Sequence, residues 1–257
     1  MIKKFFIIII AVVFIGLKSV STFAANPIGY GIEVDENVWG THIAYDSNKV
    51  EVKVDNLDKY RVGYATTDAF VYKLLGQEND DVDYYLVAYR VSVNPTVSAK
   101  KYNWFYNYYG WSEALYIRGS YQDGDSITDY SPLTDNPSAS YSAGISFSVS
   151  PDGPEFSASS GISITENALQ IRATQSDTNR LLEIKYDYMC DIAHSKGYLT
   201  SNTIQYGMYV VEHQKGTPFT TTLTTEMWFA PAIGWSNFTQ VAVTYRVSDS
   251  ISMTFTI

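Results

Sequence analysis

Strict two-residue alternation of apolar with small polar side chains is the feature that most limits how this chain can fold. It is clearest between Ala139 and Thr165. Ala139, Tyr141, Ala143, Ile145, Phe147 and Val149 alternate with Ser140, Ser142, Gly144, Ser146, Ser148 and Ser150. Pro151, Asp152, Gly153 and Pro154 then interrupt the run with residues that turn a chain. Beyond them Phe156, Ala158, Ile162 and Ile164 share one face, with Ser160 as its single polar member. Glu155, Ser157, Ser159, Gly161, Ser163 and Thr165 share the other. Successive side chains of a strand point to opposite faces, so two such runs around a turn predict an amphipathic β-hairpin. Its walls are uncharged, and Asp152 and Glu155 mark its tip. Two settings suit it: lipid on one side and water on the other, or the outside of a β-sandwich.

The same period recurs along the chain. Val50, Val52 and Val54 alternate with Glu51 and Lys53; Leu182, Ile184, Tyr186 and Tyr188 with Glu183, Lys185 and Asp187. It returns over Phe219 to Phe229, over Val241 to Val247 and over Ile251 to Ile257. Val82 to Val93, Ala114 to Gly119 and Thr203 to Glu212 also read as strands, and Tyr60 to Ala65 and Ala69 to Leu74 as two shorter ones. Asp123-Gly124-Asp125 reads as a hairpin turn. Asn26 to Asn37 reads as a loosely attached arm. No long amphipathic helix, repeat or linker divides the chain. The expectation is all-β: an antiparallel β-sandwich forming one domain over residues 25–257, with a stem-like hairpin within 133–172.

The first 24 residues read as a signal peptide. Lys3 and Lys4 precede an apolar run from Phe5 to Leu17, and Thr22 and Ala24 are the small residues of a cleavage site after Ala24. That run is short of the ~20 residues a membrane helix needs. Secretion is therefore expected. One cysteine, Cys190, allows no internal disulfide, so packing must hold the exported chain together. The chain has 27 acidic against 18 basic residues, and Lys3, Lys4 and Lys18 are lost with the leader. This argues against nucleic acid and against simple electrostatic docking on anionic lipid. The 22 tyrosines suit sheets and interfaces.

Signals for chemistry are sparse. The histidines are His42, His194 and His213, and Cys190, Asp191 and His194 do not have zinc-site spacing. Neither a Gly-x-Ser-x-Gly elbow nor a His-Glu-x-x-His pair occurs. Asn79, Asp81 and Asp83 begin like a calcium loop but lack its glycine. The chain is expected not to be an enzyme and to need no metal or cofactor. The run from Tyr102 to Trp111 is dense in rings. It fits either a core strand with alternate rings buried, or an aromatic rim that meets a membrane interface or stacks on glycans. Trp104, Phe105, Tyr108, Tyr109 and Trp111 are the docking candidates on the second reading.

Trp111-Ser112-Glu113-Ala114-Leu115-Tyr116-Ile117, then Ser126-Ile127-Thr128-Asp129-Tyr130-Ser131-Pro132, then the alternating hairpin, resembles the leukocidin/hemolysin family of β-pore-forming toxins. Val243-Thr244-Tyr245-Arg246-Val247-Ser248-Asp249 is similar to that family's closing strand. The resemblance implies a soluble protomer that binds a target-cell membrane and joins a ring of copies, with a second component in some systems. Each protomer then contributes its hairpin to one transmembrane barrel. Ala139, Tyr141, Ala143, Ile145, Phe147, Val149, Phe156, Ala158, Ile162 and Ile164 would face lipid. Ser140, Ser142, Gly144, Ser146, Ser148, Ser157, Ser159 and Ser163 would line the lumen. Two departures stand out. The hairpin is shorter than the family's stem, and Met189 to Tyr209 lacks its Trp- and Arg-bearing lipid pocket, so no lipid-docking residue carries over. Two rivals share the pattern: an exported, non-lytic sandwich that binds a protein or glycan, and an outer-membrane β-barrel.

Overall fold

Long runs of β-branched and aromatic residues at period two build almost everything in the computed structural model. It describes residues 34–53, 61–76, 81–95, 106–133, 142–150, 153–161, 169–188, 202–235, 238–242 and 246–257. The leader, Trp104, Phe105, Cys190 and His194 lie outside these residues, as do Ala139, Ser140, Tyr141, Ile162, Ser163 and Ile164.

The first sheet has the order β1 (Ala44–Lys53), β2 (Arg61–Lys73), β3 (Val82–Pro95), β10 (Thr203–Gln214), β5 (Ser126–Ser131). The second has the order β12 (Phe238–Ala242), β11 (Thr220–Trp235), β4 (Tyr106–Tyr121), β9 (Leu181–Asp187), β8 (Gln170–Ser176). β13 (Val247–Thr256) also pairs with β11. All of these pairings are antiparallel. The main core lies between the sheets. It joins Val71, Val87, Tyr89 and Tyr209 from the first to Leu115, Ile184, Leu223 and Phe229 from the second. Two open sheets packed over one core are a sandwich, as expected. They also rule out the outer-membrane barrel, in which one closed sheet would turn its apolar residues outward.

Buried tyrosines stitch the sheets together. Tyr89 on β3 lies 3.0 Å from the Tyr186 hydroxyl on β9, and Tyr186 donates to the Tyr206 carbonyl at 2.8 Å. Tyr186 has one hydroxyl proton, so Tyr89 is the donor to it. The Tyr209 hydroxyl meets Thr221 at 3.1 Å, and Thr67 meets Thr225 at 2.8 Å. These bonds satisfy polar atoms that burial would otherwise leave costly. Part of the high tyrosine content thus serves the core. The sheets come close at Gly110, where a Cβ would run into the Val62 backbone.

Several sequence expectations change. The two short strands between residues 60 and 74 are one strand, β2. The Ala114–Gly119 strand and the end of the aromatic run merge in the 16-residue β4. The alternation from Val241 to Val247 is divided: β12 ends at Ala242 and β13 starts at Val247. The turn around Gly124 (φ 89°) does not close a hairpin. It carries the chain from β4 in the second sheet to β5 in the first. The end of the arm is firmly attached. Asp35 caps a helical turn, α1 (Glu36–Trp39), by accepting from the Asn37 N–H at 2.9 Å, and Val34 and Trp39 are buried. They pack in a second cluster with Tyr72, Leu86, Ala88, Met208 and Val210, on the first sheet's outer face.

Candidate functional site

The hairpin stands apart from both sheets. β6 (Ser142–Ser150) and β7 (Gly153–Gly161) pair antiparallel with each other, as a two-stranded sheet of their own. Their register is unbroken. It sets Ala143 opposite Ser160, Ile145 opposite Ala158, Phe147 opposite Phe156 and Val149 opposite Pro154. Ser142 stands opposite Gly161, Gly144 opposite Ser159, Ser146 opposite Ser157 and Ser148 opposite Glu155. Residues directly opposite across an antiparallel pair share a face. The alternation of the two runs is therefore in phase, and a slip of one residue would have scrambled it. The hairpin lies against β5 and β10, at one edge of the first sheet. β5 runs to Ser131, and the cis bond Ser131-Pro132 leads on toward the hairpin.

The docking candidates separate. Tyr108 and Tyr109 stand at the start of β4, opposite Ile233 and Ala232 of β11, on the end of the second sheet where β12 also pairs. Trp111 is 1% exposed and belongs to the main core. Its ring serves packing, which is the core reading of that position.

The other sequence candidates are structural where they are described. Asp83 pairs with Lys73 at 2.8 Å. His42 packs edge-on against Phe70 and Tyr72. Buried His213 bonds Asp125 at 2.7 Å through Nδ1 and the Thr217 carbonyl at 2.9 Å through Nε2. This ties the turn after β4 to the turn after β10. Burial pushes the Asp125 carboxyl up, against the pull of His213.

One feature escaped the sequence reading. Between Trp228 and Phe229 the β4–β11 register shifts, Trp228 facing Ala114 and Phe229 facing Ser112. Glu113 is the extra residue of this β-bulge, a device that re-aims a side chain. It lines an open cleft of about 290 Å³ with Ala114, Tyr116, Lys185, Asp187, Trp228 and Arg246. Arg246 pairs with Glu113 Oε1, while Oε2 is buried without a hydrogen-bond partner. Burial pushes the Glu113 carboxyl up, with Arg246 opposing. Lys185 pairs with Asp187 at 2.6 Å. The Trp228 indole N–H donates to Glu226 at 2.8 Å, which fixes its ring. The signal was present in the sequence: with Leu115 and Ile117 pointing inward, parity puts the charged Glu113 inward too, and only a bulge relieves that.

No protein-family model matches this sequence, and no curated protein matches it. Solved structures do. One described as a pore forming protein superimposes with a TM-score of 0.50 at 9% identity, covering 82% of this chain and 90% of that one. Another is the NetB toxin of Clostridium perfringens in its membrane-inserted form, with a TM-score of 0.47 at 11% identity, covering 82% and 96%. At such identities the likeness is one of fold. This chain has the fold of a pore-forming protein, the fold that its leukocidin/hemolysin resemblance implies.

Proposed function

We propose that this chain is a secreted pore-forming protein that assembles as a ring on target membranes and gives one hairpin per protomer to a common β-barrel. The observation that carries this is the separateness of β6 and β7. Among the described residues their backbone ladder is with each other, and neither pairs with a strand of the sandwich. The hairpin can therefore leave its place against β5 and β10 without breaking a ladder of either sheet. Each strand is nine residues long. That matches the ~9–11 tilted residues needed to span a bilayer. Closing several hairpins into a barrel pairs every backbone group that lipid would otherwise strand.

The faces then have assigned surroundings. Ala143, Ile145, Phe147, Val149, Phe156 and Ala158 face lipid, extended by Ala139, Tyr141, Ile162 and Ile164. Ser142, Gly144, Ser146, Ser148, Ser157 and Ser159, with Ser140 and Ser163, line the water. Glu155 and Asp152 cross at the tip and stay wet. Trp104, Phe105, Tyr108 and Tyr109 are the rings that first meet the bilayer interface, where such rings are favoured.

The test is dye release from liposomes by the chain without residues 1–24, together with imaging of rings. Ser146→Cys joined by a disulfide to a cysteine placed on β10, in a Cys190→Ser background, should stop release until a reductant is added. Release that continues with the bond closed would overturn the inserting hairpin, and no release under either condition would leave a permanently docked hairpin in a non-lytic binding protein.

A further inference from the structure

The cleft at Glu113 has no part in the pore reading, yet it is built as a binding site. We infer that it holds one neutral pyranose ring, the exposed end of a glycan. This inference stands whether or not the hairpin inserts.

Four observations lead there. Trp228 offers a half-exposed aromatic surface held in place by its bond to Glu226. A ring pinned in advance loses little freedom when something stacks on it. Tyr116 cannot serve in the same way, because Arg118 and Lys185 already lie 5.1 and 5.5 Å from its ring centre. A C–H-rich, flat face is what stacks on an indole, and a pyranose presents one.

The second observation is the free oxygen. Glu113 Oε2 is buried and lacks a donor, and an unmade bond to a carboxylate is costly. A ligand O–H or N–H that draws this carboxylate toward the cleft supplies the missing partner. A quaternary ammonium, which could also stack on Trp228, has neither.

Third, the charges cancel. Glu113 and Asp187 face Arg246 and Lys185, each acid already joined to a base. An anionic ligand would compete with the carboxylates, and a cationic one with the bases. A neutral polyol fits without upsetting either pair. Arg246 and Lys185 each keep donors beyond the one spent on the acid, and sugar hydroxyls accept as readily as they donate.

The fourth is size. About 290 Å³ is at the lower end of ligand pockets, which begin at roughly 300 Å³. It suits one ring with its neighbour in solvent, as at the end of a glycan chain.

Saturation-transfer NMR on the chain without residues 1–24 would test this with the methyl glycosides of glucose, galactose, mannose, N-acetylglucosamine and N-acetylgalactosamine. At least one should receive saturation through its ring C–H protons. Trp228→Ala should weaken that glycoside by about tenfold or more, as loss of a central aromatic anchor does. Trp228→Phe, which keeps a ring, should restore most of the affinity. Glu113→Gln should weaken binding with the melting temperature little changed, and it carries the test where Trp228→Ala fails to fold. Thr254→Ala, on the same sheet but away from the cleft, should leave binding unchanged. Silence from all five glycosides would overturn the inference. So would binding that Trp228→Ala and Glu113→Gln both spare, or saturation of tetramethylammonium in place of the sugars.

Discussion

The outer faces of the two sheets have been treated in opposite ways. In the first sheet, Tyr84 to Tyr89 on β3 are six successive buried residues, and Gly207 to Val211 on β10 are five. A strand buried at every residue is covered on both sides. The cover here includes α1 with Val34 on the outer cluster, and the hairpin lies beside β5 and β10. In the second sheet, β11 alternates cleanly: Thr221, Leu223, Thr225, Met227 and Phe229 are buried, while Thr222, Thr224, Glu226 and Trp228 are only half-buried. Its outer face carries hydroxyl pairs, such as Thr222 with Thr254 and Thr224 with Ser252 at 2.9 and 2.8 Å. Arg118 is clasped there between Glu183 and Glu226, at 2.6 and 2.5 Å. The difference teaches a division of labour. The α1 turn packs on the first sheet by apolar contact, and the hairpin lies beside that sheet without pairing to it. The second sheet meets water on its own terms and leaves an open cleft at Glu113.

The strongest way to break this division is to charge the hairpin. In the proposed barrel Phe147→Lys places a cation at the middle of a strand facing lipid, at a cost of about 2–4 kcal/mol for each protomer. Dye release should be abolished. Ser146→Lys, one residue along and on the face proposed to line the lumen, should keep release and shift the pore toward anions. Equal loss from both substitutions would show that the two faces do not differ as proposed.

How much of this could be read beforehand depends on where the decisive contacts lie. The strands were legible wherever one face is buried and the other wet, because that writes period two into the sequence. β8 escaped notice because it is an edge strand with Ile171 as its only buried residue. The hairpin was legible because serine and glycine alternate with apolar residues without a charge. The Asp125–His213 pair was not, since its partners stand 88 residues apart and nothing local joins them. Tyrosine misled most. Tyr89, Tyr186 and Tyr209 look amphipathic in sequence but are fully buried, with hydroxyls satisfied across the core by residues from other strands. Trp111 followed the same course from candidate rim to core.

A smaller effect sharpens the contrast in stability. Leu86 is 1% exposed in the first sheet's outer cluster. Leu86→Ala should cost about 2–5 kcal/mol, the usual result of emptying a packed site. Thr224→Ala on the second sheet's outer face should stay within about 0.5 kcal/mol. Urea unfolding of both variants measures this directly. A Leu86 variant as stable as the Thr224 variant would mean that the outer cluster is loosely covered and the two faces are alike after all.

The finest test uses alkali. Tyr72 and Tyr84 lie in the same covered cluster. Burial pushes both phenols up to about 12; Glu36 adds to this at Tyr72, and the bond to Glu212 adds to it at Tyr84. The folded state therefore holds these protons longer than the unfolded chain, whose phenols titrate near 10. Their contribution to stability is whole below pH 10 and is lost as the pH rises from 10 toward 12. Each such group can remove at most about 1.4 kcal/mol per pH unit in that window. The denaturant midpoint of the wild-type protein should fall steeply there. Tyr72→Phe with Tyr84→Phe should make the fall shallower without removing it, because Tyr89 and Tyr209 are raised still further by burial in the main core. If the double variant fell as steeply as the wild type, water would already reach the outer face of the first sheet, and it would differ from the second in composition but not in cover.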